Sequence, residues 1–186
     1  TMSHPTLDDT MPDNERLTWA IRDKTGTEHV VIPYPVLRKL PTTLRESQFD
    51  VCVTLRREGE AVIVCDVRPG WDESPACALA IDIGTTTVVG YLLDGKSGKE
   101  MAVASMMNPQ HQFGADVISR SNYVLEHGGE EMRAVIQDAL NRLIVQACAK
   151  AGIKKEEILQ VSIVGNTCMH HLFLGISPDS LVHAPY

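Results

Sequence analysis

No run of Lys and Arg stands out in this sequence, and acids outnumber bases 24 to 17, for a net charge of −7. That balance argues against nucleic acid as a partner. No apolar stretch approaches the ~20 residues a membrane-spanning helix needs, so no membrane is expected either. Residues 1–15 lack the apolar core of a signal peptide. Among the five cysteines, Cys52, Cys65, Cys77, Cys148 and Cys168, there is no C-x-x-C pair. This argues against a zinc or iron–sulfur site in the chain. An odd cysteine count without a secretion signal points to reduced thiols and a cytoplasmic location. Thr1 ahead of Met2 reads as a cloning remnant.

What is there fits a globular protein. The chain has 186 residues, 44% apolar and 22% charged, enough for one domain or a small domain plus part of a larger one. Residues 1–15 are expected to be a mobile N-terminus. Leu17–Ile21 and His29–Ile32 read as strands around the turn Lys24-Thr25-Gly26-Thr27. Pro33, Pro35 and Pro41 punctuate the next stretch, leaving room for one helical turn near Val36–Leu40. Phe49, Val51, Val53 and Leu55 alternate with polar neighbours, and residues 61–67 pair back across Glu58-Gly59-Glu60. Residues 16–68 therefore predict a small β-rich domain of about four strands. A linker covers 69–77.

From residue 78 the pattern changes. Ala78–Ile83, Thr87–Leu93 and Met101–Met107 predict an antiparallel meander. Helices follow over 116–127 and 130–151, the second marked by Met132, Ile136, Leu140 and Leu143 and stopped by Gly152. Val161–Val164 predicts a buried strand. Gly165-Asn166-Thr167 is its turn, and Met169–Leu174 starts another helix.

The chemistry concentrates at Ile81-Asp82-Ile83-Gly84-Thr85-Thr86-Thr87. A strand ends in an acid, a glycine and three hydroxyls. Glycine lets the backbone approach a phosphate closely, and N–H groups in a tight turn make an anion-binding concavity. Asp82 repels phosphate but suits Mg²⁺ held through water. A plain β-turn is the competing interpretation. Gly90–Ser97 also fits G-x-x-x-x-G-K-[ST]. Its middle residues continue strand alternation and no helix follows, so Asp94-Gly95 is better read as a hairpin turn. Asp116 can cap a helix, and Asn166 or Thr167 can do the same. Adjacent His170 and His171 point apart on a helix and cannot easily share a metal. Ser119 shows no nucleophile–base pairing.

Four motifs occur together in order: Ala80-Ile81-Asp82-Ile83-Gly84-Thr85-Thr86-Thr87-Val88-Val89-Gly90-Tyr91; Asn108-Pro109-Gln110 with Phe113-Gly114-Ala115-Asp116-Val117-Ile118-Ser119-Arg120; Val164-Gly165-Asn166-Thr167-Cys168-Met169-His170-His171-Leu172; and Ala184-Pro185-Tyr186. Residues 78–186 thereby resemble the ATP-dependent reductive activators of corrinoid proteins, within the actin, sugar kinase and heat-shock chaperone superfamily. Cys168 departs from the threonine common there.

The resemblance implies an α+β fold: a small β-rich domain, then the incomplete first lobe of an actin-like (ribonuclease H-like) ATPase over 78–186, with a mixed sheet and flanking helices. It implies ATP and Mg²⁺ as cofactors, with Asp82 catalytic on the Mg²⁺ side and Gly84, Thr85, Thr86 and Thr87 around the terminal phosphates. Asn166 and Thr167 face the cleft, and Gln110 and Asp116 are further cleft candidates. The implied reaction reduces a cobalt(II) corrinoid protein of a methyltransferase or O-demethylase system to cobalt(I). The electron comes from a reduced donor through an iron–sulfur domain outside this chain, placed C-terminally. A second phosphate loop and an adenosine site are expected elsewhere in a longer parent, so the fragment alone is expected to be inactive. Its open surface makes a homodimer or segment swap conceivable. The alternatives are a sugar-kinase-like or dehydratase-activator-like ATPase, or a non-catalytic binding module.

Overall fold

The computed structural model describes residues 1–183. The chain forms two compact units, Thr1–Ser74 and Pro75–Tyr186. The closing motif Ala184-Pro185-Tyr186 lies outside the described residues.

The first unit begins with helix α1 (Asp13–Thr25), where a strand was expected over Leu17–Ile21. Leu17 and Ile21 are buried four positions apart, while Trp19 between them is exposed. Local alternation imitated a strand. The decisive signals were Asp13 and Glu15 in the first turn, Arg22 and Lys24 in the last, and a left-handed Gly26 at the end. Gly26 is thus a helix stop, not a hairpin turn. Strand β1 (His29–Val31) follows. Helix α2 (Tyr34–Glu46) replaces the single expected turn and runs through Pro41. Pro35 sits in its first turn, where no N–H is needed. Val36, Leu40, Thr43 and Leu44 give it one buried stripe.

Strands β2 (Val51–Glu58) and β3 (Ala61–Pro69) form the expected antiparallel pair. β1 joins β3 in parallel, giving the order β1-β3-β2. The unit therefore holds three strands and two helices in place of about four strands. Leu17, Ile21, Leu40, Leu44, Val62 and Val64 belong to its core. Residues 1–12 form no helix or strand, but Met2 N donates to Phe49 O at 2.9 Å. Buried Arg16 holds Asp9 by two bonds, at 2.7 and 3.0 Å.

The second unit is a mixed four-stranded sheet in the order β6-β5-β4-β7. β4 (Cys77–Ile83), β5 (Thr87–Asp94) and β6 (Glu100–Met107) are the expected meander, and β7 (Ile158–Gly165) lies parallel to β4. Helices α3 (Val117–His127) and α4 (Glu130–Ala151) fall where the periodicity put them. Helix α5 (Thr167–Leu174) ends at left-handed Gly175, and a short α6 (Asp179–Val182) follows. Met132, Ile136, Leu140 and Leu143 of α4 share one core with Leu79, Ile81, Val88 and Leu92 of the sheet. Gly90 marks the closest approach: a Cβ there would lie 2.3 Å from Leu143 Cδ2.

β7 corrects one expectation. It is an edge strand, with Val161 46% and Val164 58% exposed, not a buried one. An apolar run shows that a strand exists but not which side is covered. Among the described residues, no helix is long and apolar enough to cross a membrane.

Candidate functional site

Register builds the site. Asp82 pairs with Val164 and Ile83 with Gly165, so the carboxyl ends of β4 and β7 lie side by side. Two turns leave from that edge. One is Gly84–Thr87, leading into β5. The other is Gly165–Thr167, leading into α5.

The first turn is closed by Gly84 N donating to Thr87 O at 3.0 Å. A Cβ on Gly84 would sit 2.7 Å from that same carbonyl, so only glycine fits without a shift. Thr86 and Thr87 are exposed, and Thr85 is half-buried. In the second turn Asn166 caps α5, its Oδ1 accepting from Met169 N at 3.0 Å. Its Nδ2 donates to Thr85 Oγ1 at 3.2 Å, which ties the two turns together. Thr167 is exposed at the first helical position. Asp82 is exposed on β4, alternating with buried Ile81 and Ile83.

A buried asparagine supports the loop from behind. Asn108 N donates to Thr86 O at 2.8 Å. Its Nδ2 donates to Gly84 O at 2.8 Å, and its Oδ1 accepts from Gln110 N at 2.9 Å. The sequence marked Asn108-Pro109-Gln110 as a polar turn, but nothing local discloses a bond to a loop 24 positions away.

Two predicted cleft residues are elsewhere employed. Gln110 is fully buried. Its amide lies 3.4 Å from Asn108 Nδ2 and 3.5 Å from Met132 O, so it packs the interior and faces no cleft. Asp116 is the N-cap of α3, accepting from Ser119 N at 2.8 Å in a capping box. The Ser119 backbone and hydroxyl bonds hold its carboxyl below the ordinary range. Its side chain is therefore a helix cap, the plainer of the two roles its sequence position allows.

The P-loop lookalike is a hairpin. Asp94 accepts from Lys96 N and Ser97 N, both at 3.2 Å, and the chain continues into β6. Among the described residues no three His, Cys, Asp or Glu side chains gather as for a metal.

A glycine turn and a capped helix start are thus joined at the carboxyl ends of adjacent parallel strands of an α+β sheet. The family description "RACo middle region" matches residues 77–186, and "RACo linker region" matches residues 1–74. The chain belongs to the RACo family. It is 44% identical over 117 residues to the corrinoid activation enzyme RamQ of Eubacterium limosum, covering 61% of this chain and 20% of RamQ. A solved reductive activator for corrinoid, iron-sulfur protein matches with a TM-score of 0.84 and 38% identity, over 100% of this chain and 30% of that one. The chain thus spans well under half the length of either relative.

Proposed function

We propose that these residues are the linker and middle regions of an ATP-dependent activator that returns an inactive cobalt(II) corrinoid protein to cobalt(I). The loop Gly84–Thr87 receives the terminal phosphates of ATP on one wall of a cleft. The observation carrying this is the Asn166–Thr85 bond, which makes two strand-end turns into one edge. The Gly84 position, where any Cβ would meet a carbonyl, fits close backbone approach to phosphate.

Asp82 is exposed beside the loop and suits a hydrated Mg²⁺, which supplies charge neutralisation at the phosphates. Thr86, Thr87 and Thr167 offer hydroxyls, and the first turn of α5 offers free N–H groups. The electron is uphill, so ATP must drive a conformational change in the complex with the corrinoid protein. It arrives from an iron–sulfur module outside these residues.

The test is Asp82→Ala in the full-length protein, followed by the absorbance change of a cobalt(II) corrinoid protein under a reductant. The expected result is loss of ATP-dependent reduction, with unchanged thermal stability. Unaffected reduction would remove Asp82 from the site.

A further inference from the structure

Arg120 of α3 is a fully buried cation. Its Nε donates to Gly114 O at 2.8 Å, and Nη1 lies 3.6 Å from Met169 Sδ. Among the described residues no carboxylate pairs with it; the arginine ion pairs are those of Arg16, Arg45, Arg56, Arg68 and Arg142. Asp116, on the same helix terminus, is near enough to favour that charge, but its hydrogen bonds go to Ser119 and it forms no ion pair with Arg120. Burial disfavours the charged form of Arg120, yet a guanidinium keeps its proton in proteins. With a carbonyl and a thioether as its hydrogen-bond partners among the described residues, this buried charge is costly to fold.

The contacts of Arg120 lead to the loop. Met169 Sδ, which Nη1 touches, is also 3.7 Å from Asn108 Nδ2. That nitrogen donates to Gly84 O at 2.8 Å. Arg120, Met169 and Asn108 are all buried, so water does not screen the path. Because Arg120 is sealed, no anion from outside can touch it. An anion held at the open loop can still act on it through this dry layer.

We infer that Arg120 is a fixed counter-charge for a polyphosphate at Gly84–Thr87, a positioning residue that acts through space without touching the ligand. This rests on the nucleotide reading of the loop.

The test compares the full-length protein with Arg120→Met and Arg120→Lys. MgATP and pyrophosphate are titrated, with adenosine as the uncharged control, and thermal stability is recorded for each protein. Methionine keeps the volume and removes the charge. The expected result is stability equal to or above the parent, with MgATP and pyrophosphate bound about tenfold more weakly and adenosine unchanged. Lysine should recover part of the loss.

Arg120→Met binding both polyphosphates as tightly as the parent would overturn the inference. So would equal losses for ATP and adenosine, which mark a structural role. If Arg120→Met does not fold, Arg120→Gln takes its place: pyrophosphate affinity equal to the parent overturns the inference, and a loss for the polyphosphates with adenosine unchanged supports it. A parent that binds no MgATP sinks the nucleotide reading and this inference with it, whereas an Arg120 failure in an ATP-binding parent leaves that reading standing.

Discussion

Asn166 and Thr85 stand 81 positions apart, yet Asn166 Nδ2 donates to Thr85 Oγ1 at 3.2 Å while Oδ1 of the same amide caps α5. One side chain thus fixes both the start of a helix and the position of the glycine loop. Asn166→Ala is expected to cost about 1–2 kcal/mol, the worth of a lost cap. Asn166→Asp keeps the cap acceptor and loses the donor to Thr85. Urea denaturation should show alanine destabilising and aspartate close to the parent. ATP affinity of the full-length protein should fall in both. Aspartate retaining full affinity would show that the bond to Thr85 is immaterial.

Asn108 predicts a larger effect. Its side chain serves Gly84 O and Gln110 N from a fully buried position. Asn108→Ala leaves both without that partner and opens a small void, for a loss of about 2–4 kcal/mol. Amide exchange should quicken at Gly84–Thr87 before it does in α4. A global loss without local loop exchange would contradict a loop-holding role.

The second unit was more legible than the first, for physical reasons. Its meander has tight turns, and α4 carries apolar residues at strict helical spacing, so local pattern and final burial agree. In α1 the local pattern misled. Leu17 and Ile21 alternate with neighbours as in a strand, but they bury on one helix stripe against α2 and the sheet. Proline counts misled in α2, because Pro35 occupies a first-turn position and Pro41 is tolerated within the helix. At the candidate site, the glycine turn was visible because its signal is local. Gln110, Asn108 and Arg120 differ. What each does is set by partners such as Met132 O, Gly84 O and Met169 Sδ, which lie 22, 24 and 49 positions away.

The first unit carries an acid-sensitive network. Burial pushes the Asp66 carboxyl up, but Lys39 and Arg68 outweigh it and hold it below its ordinary value. Arg68 also binds Asp72 at 3.1 Å. Bonds from Ser74 and Arg68 lower Asp72 to about 2. Both carboxyls titrate lower in the folded chain than in the unfolded one. Their stabilisation is therefore complete above about pH 4, the unfolded value. It is lost as pH falls towards 2. Both tryptophans, Trp19 and Trp71, lie in this unit, so their fluorescence follows it alone. Denaturation midpoints should drop between pH 4 and 2, and Asp66→Asn should flatten that drop. An equally steep drop in Asp66→Asn would place the acid sensitivity elsewhere.

The 186-residue chain alone should bind MgATP weakly or not at all, because it supplies only one wall of the proposed cleft. Isothermal titration calorimetry is the measurement. A micromolar dissociation constant would mean that these residues form a complete site, contrary to the proposal.

Two glycines separate the proposed phosphate loop from its lookalike. Gly84 and Gly90 are six positions apart, and both exclude a side chain, but for different reasons. At Gly84 a Cβ meets the backbone carbonyl of Thr87 at 2.7 Å, so the turn itself must deform. At Gly90 it meets Leu143 Cδ2 at 2.3 Å, the far end of a buried side chain in α4. Gly90→Ala is therefore an overpacking change, costing about 1–3 kcal/mol. It reaches the sheet–helix core and leaves the loop edge untouched. Its ATP affinity, measured in the full-length protein below its melting range, should match the parent. Gly84→Ala should do the opposite, with affinity falling about tenfold or more as the N–H and carbonyl of the turn move apart. Were Gly90→Ala to lose ATP while Gly84→Ala kept it, the phosphate site would lie on the hairpin at Gly90–Ser97. The roles of Asp82 and Gly84–Thr87 in binding nucleotide would then have to move with it.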